Sequence, residues 1–154
     1  METGIQDIMN ISNNFTLEDF TYSQTATRKG IDNVPTDEQI ANLTELAQVL
    51  ERVRTLLGAE LHIDSGFRSP KLNAAIGGSV NSAHLEGYAA DILCPGFGSP
   101  AEVCKAIRDG KIPFDQLIQE GSWVHISVDP RMRGEVLTAS FSNGKATYTN
   151  GINS

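Results

Sequence analysis

The stretch Phe114-Asp-Gln-Leu-Ile-Gln-Glu120-Gly-Ser-Trp123-Val-His-Ile-Ser-Val128 decides the fold class. Phe114–Gln119 and Trp123–Val128 read as two strands, and Gly121 suits the first central position of a tight type II′ turn between them. With Gly121 and Ser122 as the loop, Glu120 pairs with Trp123 and Ile118 with His125. Trp123, His125 and Ser127 then share one face of the second strand.

Working outward, Leu137–Thr149 alternates around Asn143-Gly144, a second hairpin signal. Upstream, Tyr88–Leu93 reads as a strand closed by Cys94-Pro-Gly, and Leu61–Asp64 as a strand running into Ser65-Gly-Phe-Arg-Ser-Pro70. Between them Lys71–Ala75 reads as a helical turn. Ser99-Pro-Ala-Glu102 carries a Ser cap, Pro at the first helical position and Glu at the third, and predicts a helix ending at Gly110. Thr36-Asp-Glu-Gln39 is a capping box, and Ile40, Leu43, Ala47, Leu50 and Leu57 recur at helical spacing up to Gly58. Thr16-Leu-Glu-Asp19 opens a short helix through Phe20, and Gly30–Pro35 is a loop. Helices first, then strands with one helix among them, then a hairpin, predict an α+β fold with a mainly antiparallel sheet flanked by helices. Residues 1–14 are expected to be loosely held, 15–129 to form the main body, and 130–154 to add a C-terminal hairpin to the same single domain.

The chain has 154 residues, 40% hydrophobic and 20% charged, which suits one domain with a sizeable core. No run is long and apolar enough to span a bilayer. The formal net charge of -7, without clustered Lys and Arg, argues against nucleic acid as a partner. The first dozen residues lack the pattern of a secretory signal, so the expected place of synthesis is a cytoplasm. Cys94 and Cys104 lack C-x-x-C spacing and are expected to be reduced structural residues.

Ser82-Ala-His84-Leu-Glu-Gly87-Tyr-Ala-Ala-Asp91-Ile and the distant Trp123-Val-His125-Ile-Ser127 carry the chemistry. Two His and one carboxylate are a standard catalytic zinc set that leaves a fourth position for water. Gly87 lets the chain turn between a ligand on a loop, His84, and one on a strand, Asp91. His125 supplies the third. Glu120, a diagonal neighbour of His125 about 7 Å away between backbones, is placed to act as general base toward a zinc-activated water. Arg68 is the candidate for binding a substrate carboxylate or a developing oxyanion. Ser82 can hydrogen-bond substrate near His84, and Trp123 reads as core or pocket wall. His62 is a possible replacement ligand, Asp64 a possible acceptor for a site histidine, and Arg131 with Arg133 a solvated loop pair.

Ser65-Gly-Phe-Arg-Ser, Asn73, Gly77-Gly78, Ser82-x-His84-x-x-Gly87-x-Ala89-x-Asp91-Ile and Trp123-Val-His125-Ile-Ser resemble the zinc D-Ala-D-Ala carboxypeptidase family. That family includes D,D-dipeptidases of vancomycin resistance and phage endolysins that cut L-Ala-D-Glu or D-Ala-containing bonds. The resemblance runs from about Phe15 to Asp129. It implies one zinc ion on His84, Asp91 and His125, Arg68 as a substrate or transition-state contact, and peptidoglycan peptide as substrate. It also suggests a phage or prophage lysis enzyme, made in the host cell and acting on the wall after release. Nothing in the sequence demands more than a monomer, and a wall peptidase carried on the virion is a further expectation. Many members place the catalytic carboxylate three residues before the last His, where this chain has Ser122, so the base must be Glu120 or a group elsewhere. That departure leaves a second expectation: a non-catalytic module, zinc-stabilised, that binds wall or serves in a virion.

Overall fold

The hairpin around Gly121 lies in the middle of the sheet. In the computed structural model, which describes residues 9–152, the elements in chain order are α1 (Leu17–Thr21), α2 (Gln24–Lys29), α3 (Asp37–Leu57), β1 (His62–Ser65), α4 (Pro70–Ala75), a 3-10 turn (Ala83–Glu86), β2 (Ala89–Leu93), α5 (Pro100–Asp109), β3 (Gln116–Glu120), β4 (Trp123–Ser127), β5 (Glu135–Ser142) and β6 (Lys145–Asn150). Among the described residues the strands form one sheet in the order β1-β2-β4-β3-β5-β6. The β3–β4 register is the one read from the sequence, with Ile118 opposite His125 and Glu120 opposite Trp123. Gly121 adopts a positive φ of 65°, as the turn requires. The fold is α+β, and every strand pairing but one is antiparallel.

Capping sets the helix ends. Thr16, Thr36 and Ser99 each form a full capping box, and α3 stops where Gly58 turns left-handed. Leu43, Leu46, Ala47, Leu50 and Val53 of α3 pack with Val103 and Ile107 of α5 against Ala90, Ile92, Leu117, Val124 and Ile126. These strand residues alternate with Asp91, Ile118 and His125, so helices cover one face of the sheet and the chemistry-bearing side chains point to the other. No helix of the described residues is long and apolar enough to cross a membrane. Both cysteines are buried free thiols, and burial pushes the Cys104 pKa up to about 12.

At four points the structure departs from the sequence reading or adds to it. The expectation for residues 1–14 lies in part outside the described residues, but within them Ser12 and Asn14 are held by the Glu51 carboxylate at 2.6 Å and Ile11 is buried, so residues 11–14 are tied down. The short helix α2, capped by Ser23 and closed by Gly30, stands where no element is read from the sequence. One pairing, β3 with β5, is parallel. Finally, Arg133 is exposed on its loop but is also tied to a buried partner. Its backbone N, Nε and Nη2 donate to the Asp115 carboxylate at 2.9, 2.9 and 2.8 Å, and Asp115 is 1% exposed.

That last contact explains the parallel pairing. The chain leaves β4, passes the start of β3, and must enter β5 beside it. Asp115 pins the crossing through Arg133, reinforced by Gly134 N donating to Phe114 O and Glu135 N to Asp115 O. The hydrogen bonds from Arg133 hold the Asp115 pKa below its ordinary value, against the opposing effect of burial. A carboxylate with a depressed folded pKa contributes stability above its unfolded pKa, near 4, and loses it as pH falls through the folded value. Asp115→Ala is therefore expected to cost about 2–3 kcal/mol at pH 7, and the gap to wild type should be smaller at pH 3. Urea unfolding at the two pH values checks both statements.

Candidate metal centre

The site forms where a turn and two strands converge. His84 lies in the 3-10 turn, whose first residue position is fixed by Ser82 Oγ accepting from His84 N at 3.1 Å. The turn ends at Gly87, which has a φ of 80° and lies so close to α3 that a Cβ would stand 2.7 Å from Gln39 O. Only glycine permits both. The chain then runs directly into β2, where Asp91 pairs with His125 of β4.

A single cross-sheet row results: Ser65, Asp91, His125, Ile118 and Leu137 are successive partners from β1 to β5. His84 leans over this row, its ring 5.2 Å from that of His125. Asp91 Oδ1 lies 3.3 Å from His84 Nε2 and 3.1 Å from His125 Nδ1. The three ligand atoms all lie within 4.8 Å of one another, and all three residues are buried.

This arrangement suits a metal ion on two grounds. Donor atoms about 2.0–2.1 Å from a tetrahedral ion stand about 3.3 Å apart, close to the two measured gaps. The second ground is protonation. His84 Nδ1 lies 2.7 Å from Gly66 O, which can only accept, so Nδ1 carries the proton and Nε2 turns a lone pair toward Asp91. Burial opposes the Asp91 charge, but the hydrogen bond with His125 is the largest of the effects that hold this carboxyl below the usual carboxylate range. A lone pair thus faces an ionised oxygen at 3.3 Å, a conflict that a cation between them removes. Burial lowers the His84 pKa, which disfavours a proton in that place.

Around the centre, Arg68 donates from Nε to Ser65 Oγ at 3.1 Å, from Nη1 to Asn73 Oδ1 at 3.2 Å and from Nη2 to Asp91 Oδ2 at 3.3 Å. Two of its five N–H groups remain, and the side chain is 13% exposed to the cavity. Glu120 Oε1 stands 3.8 Å from His125 Nδ1, and its side chain is 18% exposed. Burial pushes the Glu120 pKa up, with the Asp91 charge adding to the rise and His125 and Arg68 opposing it. Ser122, by contrast, sits exposed in the turn.

Trp123 lines the cavity, and its indole Nε1 is buried without a hydrogen-bond partner among the described residues. Ser82 lines the same cavity while capping the turn. His62 and Asp64 are exposed on the edge strand β1. His62 is no part of the three-ligand cluster, and the acceptor that orders His84 is the Gly66 carbonyl rather than Asp64.

A family model described as Peptidase M15 matches residues 13–127. The chain belongs to the M15 peptidase family. No curated protein matches the chain. M15 membership makes the chain a metallopeptidase, and it agrees with the family toward which the sequence motifs point.

Two further features shape the site of this M15 peptidase. Asn73 is buried, donates to Ser79 O at 2.8 Å and holds the Arg68 guanidinium. Gly78 makes room for it, since a Cβ there would stand 2.1 Å from Asn73 Oδ1 and 3.0 Å from Arg68 Nη1. Gly78→Ala should displace both and lower activity or metal affinity about 10- to 100-fold. Steady-state kinetics beside a zinc titration measure it. The second feature is the C-terminal hairpin, whose Leu137, Phe141, Ala146 and Tyr148 wall the cavity. The alternation around Asn143-Gly144 announces the hairpin but does not tell which of its faces meets the site.

Proposed function

We propose that this chain is a zinc peptidase that hydrolyses a peptide bond in the stem peptides or cross-links of bacterial peptidoglycan, in the manner of a phage or prophage endolysin. The observation that carries the reading is Glu120: a half-buried carboxylate with a raised pKa, 3.8 Å from His125, on the open face beside a His-Asp-His cluster.

His84, Asp91 and His125 would hold the ion. Bound zinc acts as a Lewis acid and lowers the pKa of water from 15.7 to about 7. Glu120 takes the proton of the attacking water and passes it to the leaving amine, a role for which a pKa raised toward neutrality is suited. Arg68, oriented by Ser65, Asn73 and Asp91, turns its two remaining N–H groups to the oxyanion or to a substrate carboxylate. The Gly66 carbonyl fixes the His84 tautomer, and so keeps Nε2 as the ligating atom. On this reading the partner is a peptide of the wall. The protein would act there as a monomer after synthesis in a host cytoplasm, or from a virion.

The competing reading is a zinc-stabilised wall-binding or virion module without activity. Its support is Ser122, which stands where many relatives carry the carboxylate. Purified peptidoglycan incubated with the zinc-loaded protein separates the two. Released peptide fragments in the mass spectrum are expected; retained binding to the wall with no new amino groups would contradict catalysis.

A further inference from the structure

A second cavity opens on the other side of the metal centre. The first, about 720 Å³, extends from His84 and Asp91 over β4 and β3 to the C-terminal hairpin. The second, about 470 Å³, lies over β1 and the start of α2, between Tyr22, Gln24, Asp64 and Ser65. Arg68, Ile76, Asp91 and Trp123 border both. The two therefore meet at the centre, and the sheet order sends them toward opposite edges of the sheet.

Six strands spaced about 4.8 Å apart span roughly 24 Å, and an extended peptide advances about 3.3 Å per residue. The open face thus accommodates roughly seven residues. From β4 to β6 alone the distance is about 14 Å, room for roughly four. A peptidase that trims one or two residues from a chain end needs a barrier just beyond the cleaved bond. On the hairpin side the face instead continues past Ile118 to Leu137, and then to Phe141 and Tyr148, which are 56% and 50% exposed.

Strand register explains why these two rings face the cavity. Ala139 pairs with Tyr148 and Phe141 with Ala146, so both aromatics stand on the face shared with Leu137. The small Ala139 lies between β3 and Tyr148, and partial burial, with the nearby Glu120 charge adding to it, raises the Tyr148 pKa. The Phe141 ring reaches the Gly121 turn, 3.4 Å from where a Cβ on that glycine would stand. Two aromatic rings with Leu137 and Ala146 make an uncharged surface suited to small aliphatic side chains. All four residues lie beyond the 13–127 segment that the family model matches.

We propose that the chain is an endopeptidase whose substrate strand crosses the open face through the metal centre, with Phe141 and Tyr148 holding an uncharged, aliphatic stretch of the peptide on one side of the cleaved bond. This rests on the peptidase reading above and fixes where in a chain the cut falls.

The test uses the full zinc-loaded chain and synthetic wall peptides of four to eight residues, each made with free ends and with both ends blocked by acetyl and amide groups. Blocked peptides should be cut within about threefold of the rate of free ones. Phe141→Ala and Tyr148→Ala should each raise KM about tenfold on the long peptides and leave it unchanged on peptides too short to reach the hairpin. Tyr148→Phe should keep the wild-type KM, because the ring makes the contact. Cleavage of free peptides with none of blocked ones overturns the proposal, as does an unchanged KM in both alanine variants. If no peptide is cut, blocked or free, the peptidase reading itself falls, and this inference with it.

Discussion

Glu120→Gln is expected to lower kcat by about 10²- to 10⁴-fold while zinc still binds one ion per chain. The substitution keeps the shape of the side chain and removes its capacity to take a proton. Glu120 lies 3.8 Å from His125 Nδ1 but belongs to no part of the three-ligand cluster, so metal content and kcat should separate. The pH profile adds a second signature. Glu120 must be ionised to take the proton, so wild-type activity should rise with pH along an acid limb. That limb should vanish in the Gln variant. A full-rate Gln variant would move the base elsewhere.

His84→Ala should have the other large effect, for a different reason. It removes a ligand and also the imidazole anchored to the Gly66 carbonyl at 2.7 Å, leaving Asp91 and His125 alone. Activity should fall by at least about 10³-fold, since unaided water has a pKa near 15.7 rather than near 7. Thermal melting supplies a readout independent of turnover. An ion that binds only the folded protein stabilises it by RT ln(1 + [L]/Kd), so zinc should raise the melting temperature of wild type and leave that of His84→Ala unmoved. Equal zinc-induced shifts in both would remove His84 from the ligand set.

The parts of this structure that were legible in the sequence are those fixed by local rules. Gly121 between two alternating runs gives the β3–β4 register, and the register alone places Glu120 on the His125 side of the hairpin. Thr36 and Gly58 delimit α3 by capping chemistry that acts within four residues. What escaped depends on contacts between distant segments. Arg133 reads as a solvated cation because nothing near it in sequence shows that Asp115, eighteen positions earlier, is buried and waiting for it. The same contact fixes the parallel β3–β5 pairing, which no turn signal specifies. Helix α2 is six mostly polar residues without an apolar stripe, so periodicity is silent there.

The site shows the same division. His84, Asp91 and His125 stand out through residue type and spacing, and the structure brings their donor atoms within 4.8 Å. Arg68 is recognisable as a candidate, but its orientation by Asn73, and the dependence of Asn73 on Gly78, arise from a close packing of side chain against backbone. His62 and Asp64 share the composition of ligands and acceptors. Their exposure on an edge strand, visible only once β1 is placed, removes His62 from the ligand set and leaves the ordering of His84 to Gly66.

The most direct test of the account is to strip the protein with a chelator, return zinc in measured steps, and follow the release of amino groups from purified peptidoglycan. The account predicts no release from the stripped protein and full recovery at one zinc per chain. Undiminished release after stripping, or one bound zinc with no release at all, would contradict it.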